Sequence, residues 1–342
     1  MRAVRIFGHG DVRLVDVPRP EPKAGEILIK IGAAGVCHSD LHIMDSAPAR
    51  LEAPYTLGHE NAGWVEECGE GVTGFSRGEA VLVYGPWGCG SCPACQQSQE
   101  NYCVRQHESA ILGGGLGRDG GMAEYMIVPS ERLLIRLGDL SPAFAAPVTD
   151  AALTPWHAIR RSAGRLLPGS TVLVLGVGGL GHMAIQMLKN TTPVTVIAGD
   201  VSSSKLAMAR KLGADFTINT LDADAALKII SVAGEPRCSL VLDFVGIAST
   251  LKLASSVVGI NGEITVVGLG GGSLDFSVGK IPFGARVSMP YWGSRVELLE
   301  VLDLLRGGRI EIKTETFPLS SAGKVYQLLR EGRINGRAVL IP

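Results

Sequence analysis

A surplus of charge is what this chain lacks first: 32 Lys and Arg against 33 Asp and Glu leave a formal net charge of −1 over 342 residues. No basic face is offered to nucleic acid, and no acidic tail marks a disordered arm. Long apolar runs are missing too. None reaches the roughly 18 residues a membrane span needs. The N-terminus also has no apolar leader core, which favours a soluble cytoplasmic enzyme. A disulfide framework is disfavoured in turn, because seven cysteines is an odd number in a chain without an export signal. The partner these absences leave is a small molecule, with neither nucleic acid nor membrane.

Apolar material and glycine are what the chain has in quantity. Hydrophobic residues make up 46%, enough for two cores, and the length predicts two domains of about 150 to 190 residues. The 45 glycines are dispersed at turns between apolar segments, which suits a β-rich and α/β fold better than a linker.

Short β-type runs at 3–6, 12–17 and 27–31, then the Gly-punctuated segment 58–83, predict a small barrel or partly open sheet. Within it stands Val36-Cys37-His38-Ser39-Asp40-Leu41-His42, answered by Gly58-His59-Glu60. Both follow strand-like or turn-prone sequence, so Cys37 and His59 can converge from two strand ends, and thiolate and imidazole are both good zinc ligands. Ser39 and His42 add a hydroxyl and a titratable imidazole, the groups that carry a proton away from a reacting alcohol. Taken singly, Cys37 reads equally well as a buried cysteine and His59 as a solvated histidine.

Cys89, Cys92, Cys95 and Cys103 form a C-x₂-C-x₂-C-x₇-C array. Four thiolates on one lobe leave no open coordination position, which predicts a closed structural zinc site whose loss unfolds the lobe. An iron–sulfur cluster is the competing occupant, and free thiols are the third reading.

The apolar run 171–175 has the character of a strand buried on both faces. It is followed by Gly176-Val177-Gly178-Gly179-Leu180-Gly181 and a helical pattern over 182–190. A lone G-x-G-x-x-G is weak evidence, but strand, helix and a second strand at 194–198 ending at Asp200 supply its context. Gly176 allows the tight turn, Gly178 the approach of backbone to pyrophosphate, and Gly181 the helix–strand packing. Asp200 can accept from both adenosine ribose hydroxyls and repels a 2′-phosphate, favouring NAD(H) over NADP(H); otherwise it caps a helix over 202–212. Alternation continues at 216–219, 222–233, 240–245, 249–258 and 263–267, a doubly wound pattern. Helices over 154–163, 296–306 and 322–331 and strands over 120–128, 316–319 and 338–341 complete the reading. The last strand returns to the first domain, so the domains are 1–151 with 294–342, and 152–293.

Assembled, these residues resemble the zinc-dependent medium-chain alcohol dehydrogenases over essentially the whole chain. Gly58-His59-Glu60, with Gly63, Gly69 and Val72, matches the family's zinc signature; the four cysteines match its structural-zinc lobe, and 176–181 its coenzyme loop. The resemblance implies an α/β fold, with a GroES-like β-barrel catalytic domain and a doubly wound Rossmann coenzyme domain. It also implies two Zn²⁺ per chain, NAD(H), and an alcohol or ketone substrate. Cys37, His59 and Asp150 would hold the catalytic zinc, with Glu60 a transient ligand and Asp40 orienting the histidine. Ser39, the nicotinamide ribose and His42 would form the proton relay. Without the resemblance, Asp150 reads as an ordinary capping aspartate.

The coenzyme contacts it implies are His38, Thr154, Gly176, Gly178, Gly179, Leu180, Gly181, Asp200, Lys205, Phe244, Val245, Gly268, Leu269, Tyr291, Trp292 and Arg337. Lys205 would assist Asp200, and His38 and Arg337 would meet phosphate. Many members carry Cys where Asp150 stands, and a carboxylate there marks a bacterial and archaeal subset acting on secondary alcohols. The likeness is strongest to bacterial NAD-dependent secondary alcohol dehydrogenases, usually homotetramers, a dimer being the alternative. Leu51, Tyr55, Trp87, Leu116 and Trp292 are candidates for a wall suited to medium aliphatic or aryl ketones, and each reads equally as core. Rival readings are a polyol dehydrogenase of the same fold, a zinc-free quinone reductase, and an NAD-binding relative without turnover.

Overall fold

The structure, a computed structural model, describes residues 1–46, 53–108 and 112–342. Strands β1 (Arg2–Gly8), β2 (Asp11–Asp16) and β3 (Ile27–Val36) lead into helix α1 (His38–Ser46). Next come β4 (Tyr55–Thr56), β5 (Glu60–Cys68), β6 (Ala80–Val83), the short α2 (Pro93–Gln96), β7 (Tyr125–Val128), β8 (Leu134–Arg136) and α3 (Pro142–Ala145). A π-helical turn at Val148–Ala152 runs into α4 (Leu153–Arg161). Alternation follows: β9 (Thr171–Leu175), α5 (Gly181–Thr191), β10 (Thr195–Asp200), α6 (Ser203–Lys211), β11 (Phe216–Asn219), α7 (Ala225–Ala233), β12 (Cys238–Asp243), α8 (Ala248–Val257), β13 (Val258–Val266) and β14 (Arg286–Ser288). Last are α9 (Arg295–Arg306), β15 (Thr314–Pro318), α10 (Ala322–Arg330) and β16 (Arg337–Ile341). Among the described residues no helix is long and apolar enough to cross a membrane.

Helix α1 has no counterpart in the sequence pattern, because its apolar residues form no single stripe. Its start is fixed instead by Asp40 in the first turn, whose carboxylate accepts the Cys37 N–H at 3.0 Å. That is the return half of a capping box. The strand expected over 120–128 begins only at Tyr125. Gly120, Gly121 and Met122 instead donate their N–H groups to the carbonyls of Thr56, Gly58 and Leu57.

The chain divides into two compact units, one of Met1–Asp150, Ser294–Leu302 and Ile312–Pro342, the other of Ala151–Gly293 and Asp303–Glu311. The expected return over 294–342 is thus interrupted, with Asp303–Glu311 belonging to the second unit. In the first unit a sheet runs β15-β16-β3-β5-β6-β8 with β7 also on β3, beside a small β2-β1-β4 sheet. Antiparallel pairing sets Gly35 opposite Glu60 and Val36 opposite Ala338, so the ends of β3, β5 and β16 meet at one point. Beneath lies a core of Val4, Ile6, Val36, Leu41, Met44, Val325, Tyr326 and Leu329, where each fully buried aliphatic side chain contributes about 1.5–3 kcal/mol.

The second unit is an all-parallel six-stranded sheet in the order β11-β10-β9-β12-β13-β14. Its direction reverses between β9 and β12, where open parallel sheets bind ligands at their carboxyl ends. Strand β9 is buried along its whole length, which is why its sequence is continuously apolar rather than alternating. Strand β14 (Arg286–Ser288), at the edge, has no counterpart in the sequence pattern.

Candidate metal centres and dinucleotide loop

Cys37 stands where β3 passes into α1, His59 and Glu60 where β5 begins, and Asp150 on the π-turn. One donor atom from each lies within 4.8 Å of the others. The Cys37 sulfur is 3.4 Å from Asp150 Oδ2, and His59 Nε2 is 3.6 Å from the same oxygen. All four residues are buried. Thr149 anchors the turn by donating its hydroxyl to the Val83 carbonyl at 2.9 Å. Gly35 is required here because a Cβ would fall 1.9 Å from Glu60 Oε2.

Electrostatics at this point favour a cation. Burial pushes the His59 imidazole down, yet the Asp40 charge and hydrogen bonds donated to Asp150, Asp40 and Cys37 carry it well above its ordinary range. Burial raises the Cys37 thiol, but Arg337 and His59 outweigh it and hold the thiol below its usual value. Thiolate, imidazole and carboxylate converging in a dry pocket fit a borderline ion such as zinc. His59 Nδ1 lies 3.2 Å from Asp40 Oδ1 and Nε2 lies 3.6 Å from Asp150 Oδ2, so the ring turns Nδ1 toward the Asp40 carboxylate and Nε2 toward the other donors.

Arg337, expected at phosphate, is buried at the start of β16, and its guanidinium pairs with Glu60 Oε1. Burial pushes the Glu60 carboxyl well up, against Arg337, and its Oε2 has no hydrogen-bond partner among the described residues. Ser39 Oγ lies 3.5 Å from the Cys37 sulfur. His42 follows three residues later on α1, so the two share a helix face, and His38 and His42 are both exposed.

The cysteine array closes on itself. Cys92 and Cys95 sulfurs are 3.5 Å apart, Cys92 and Cys103 3.9 Å, and Cys89 and Cys95 4.0 Å. A tetrahedron with zinc–sulfur bonds of about 2.3 Å has edges of about 3.8 Å, so the lobe fits one ion, and a cluster would spread the sulfurs wider. The N–H groups of Cys89, Cys92 and Arg105 point at these sulfurs. Hydrogen bonds from the Ser91 backbone and hydroxyl hold the Cys89 thiol at about 5. Behind the lobe, buried Glu100 takes Arg132 at 3.1 Å, while Arg132 also donates to the Gly88 carbonyl.

In the second unit the glycine loop joins β9 to α5. Gly181 cannot be replaced, since a Cβ there would meet the Gly176 carbonyl oxygen at 1.9 Å. Asp200, at the end of β10, accepts the Val177 N–H at 2.8 Å and the Ser202 N–H at 2.9 Å. It therefore fixes the loop while keeping further acceptor capacity. Lys205 lies half-buried on α6. Phe244 and Val245 follow β12, Gly268 and Leu269 follow β13, and fully buried Asp243 knits them. Its Oδ1 accepts from Val245 and Gly246, and its carbonyl from Val267 and Gly268. Thr154 is buried on α4, and Tyr291 meets Trp292 edge-on with centroids 6.0 Å apart. Trp292 holds φ at 52°, a strained value for a bulky residue.

Residues 23–139 match the model of the alcohol dehydrogenase GroES-like domain, and 179–306 that of the zinc-binding dehydrogenases. An NAD-dependent alcohol dehydrogenase of Sulfurisphaera tokodaii is 34% identical over 100% of both chains. The chain belongs to the zinc-type medium-chain alcohol dehydrogenases.

Solved members of this family share the fold. The alcohol dehydrogenase of the hyperthermophilic archaeon Aeropyrum pernix superposes with a TM-score of 0.92, at 34% identity over 100% of both chains. The acetophenone reductase of Geotrichum candidum, in complex with NAD, gives 0.88 at 32% identity over 100% of this chain and 97% of that one. The first unit of this dehydrogenase is accordingly its GroES-like catalytic domain and the second its Rossmann domain.

Of the expected substrate wall, Leu51 lies outside the described residues. Tyr55 sits in the core cluster of the first unit and Leu116 packs against it, while Trp87 and Trp292 are buried. Sequence reasoning missed Thr149, Asp243 and Tyr326. Asp243 ends the observed β12 but lies inside the strand expected over 240–245, so a carboxylate within an otherwise apolar run was its one legible signal.

Proposed function

We propose that this dehydrogenase interconverts secondary alcohols, including aryl and medium aliphatic ones, with their ketones, using NAD(H) and two zinc ions. The observation that carries the reading is the convergence of Cys37, His59 and Asp150 beside Ser39, in a chain whose β9-loop-α5 unit ends its second strand in Asp200.

Cys37, His59 and Asp150 would hold the reactive-site ion, and the four cysteines the structural one. Zinc bound among the three would supply Lewis-acid stabilisation of charge on the substrate oxygen, and bound NAD(H) would supply the hydride-carrying ring. Ser39 Oγ takes the substrate hydroxyl proton, and exposed His42 on the same helix face passes it to solvent. Asp40 holds the His59 ring through Nδ1. Arg337 keeps one Glu60 oxygen occupied while the other is unpartnered, the posture of a carboxylate held in reserve beside the metal. The Gly176–Gly181 backbone and the start of α5 receive pyrophosphate, and Asp200 receives the adenosine ribose.

The carboxylate ligand supports a secondary-alcohol substrate, and the similarity to an acetophenone reductase agrees with it. Homotetramer assembly in the cytoplasm belongs to the same reading. Self-association is supported by edge strand β14 and the exposed Phe276, Val278, Phe283 and Met289 around it, an edge of the kind that proteins cover. The test is zinc content per chain, with NADH-linked activity on a 2-alkanol and 1-phenylethanol, for wild type and Asp150→Ala. Two ions falling to about one, with activity lost, is the expected result. Two ions retained in an active variant would remove Asp150 from the site, and preferred turnover of sorbitol would replace this substrate class with polyols.

A further inference from the structure

Helix α10 touches the metal centre through one buried side chain. The Tyr326 hydroxyl lies 3.2 Å from Asp40 Oδ2 and 3.0 Å from Met122 Sδ. Asp40 is fully buried, and the same Oδ2 accepts the Cys37 N–H at 3.0 Å, while Oδ1 lies 3.2 Å from His59 Nδ1. A carboxylate so deeply buried needs donors on both oxygens. Tyr326 has one proton to give, and a carboxylate accepts it far better than a thioether.

The surroundings make the hydroxyl conspicuous. Tyr326 otherwise packs among Val4, Met44, Val325 and Leu329, a setting that phenylalanine would fill without burying a polar atom. Nearby Tyr55 is no substitute donor, since its hydroxyl has no hydrogen-bond partner among the described residues.

We propose that Tyr326 is a positioning residue for the reactive-site zinc: its hydroxyl sets the rotation of the Asp40 carboxyl, which in turn fixes the ring plane and tautomer of His59. The inference rests on the reading of Cys37, His59 and Asp150 as zinc ligands. It ties the metal to a helix remote in sequence from every ligand.

The test follows metal release from the full chain into a chromogenic chelator, with cobalt exchanged into the reactive site as a spectroscopic probe. Tyr326→Phe is expected to release the reactive-site ion about tenfold faster, within the range for partners of metal-ligating groups, and to shift the cobalt ligand-field bands. The structural ion should leave at the wild-type rate. Met122→Leu removes only the thioether and is expected to behave as wild type. Unchanged release and unshifted bands in Tyr326→Phe would overturn the proposal, as would equal acceleration by Met122→Leu, which would mean packing alone. Were Tyr326→Phe to unfold, 3-fluorotyrosine at the same position, a stronger donor of the same shape, should slow release, and an unaltered rate would overturn the proposal. A wild-type chain holding only one ion would defeat the underlying zinc reading. A two-ion wild type with an indifferent Tyr326→Phe defeats this inference alone.

Discussion

The Cys37 sulfur and Asp150 Oδ2 stand 3.4 Å apart, although 113 positions separate them in the chain. A thiolate and a carboxylate held this close in a buried pocket repel one another unless a proton or a metal cation is shared between them. Asp150→Asn keeps the shape and removes one charge. It is expected to weaken the reactive-site ion at least about tenfold and to abolish most turnover. Asp150→Cys restores an anionic ligand and should recover a second zinc. Metal analysis after dialysis separates the two variants.

Cys95→Ser should cost the structural ion without changing the reactive-site one. Binding energy at such a site is folding energy, so the lobe should open and a protease should cut within 89–108 before it cuts elsewhere. Limited proteolysis with metal counting checks this, and resistance equal to wild type would show that the lobe holds its shape on Glu100 and Arg132 alone.

Asp200→Gly should shift coenzyme preference, lowering kcat/KM for NAD at least about tenfold relative to NADP as the repulsive carboxylate is removed. The same change leaves the Val177 and Ser202 N–H groups without their acceptor, which costs about 1–3 kcal/mol. A lower melting temperature should therefore accompany the altered ratio. A shift in preference with no loss of stability would mean that water replaces those bonds.

Acid stability of the second unit should depend on Asp215. Burial pushes its carboxyl up, but Lys189 at 2.8 Å and the Val196 N–H prevail and hold it below its ordinary 3.8. A depressed carboxyl stabilises the fold above its unfolded value and loses that contribution as pH falls through the folded one. Lys189→Met should therefore lower stability at neutral pH by about 0.5–1 kcal/mol for this part-exposed pair, and the deficit should shrink as pH falls below the ordinary 3.8 and vanish once the folded carboxyl is protonated. Denaturant titrations across this pH range decide it.

Local patterns were legible wherever one stretch of chain does its own work. Strand β9, the glycine loop and α5 are contiguous, and the four cysteines sit within one lobe, so spacing alone carries their chemistry. Cys37 and His59 could be paired because each adjoins a strand end. Helix α1 was not legible, since it is made by the Asp40 cap and by packing rather than by an apolar stripe. The Glu60 and Arg337 pairing was not legible either, because it follows from β3 lying between β5 and β16, and register between distant strands leaves no mark in either. Tyr326 reads as one more apolar position on an amphipathic helix until Asp40 is seen opposite it.

Strand β16 pairs Ala338 with Val36 and delivers Arg337 to Glu60. The sheet of the Rossmann domain, by contrast, draws all its strands from 171–288. During synthesis the coenzyme domain therefore has its whole sheet in hand while β3 still waits for its neighbour. Such distant pairing is slow and leaves an open edge in the interval. The catalytic domain, begun first, is the one completed last, and newly made chains should acquire a coenzyme pocket before they acquire a finished metal site.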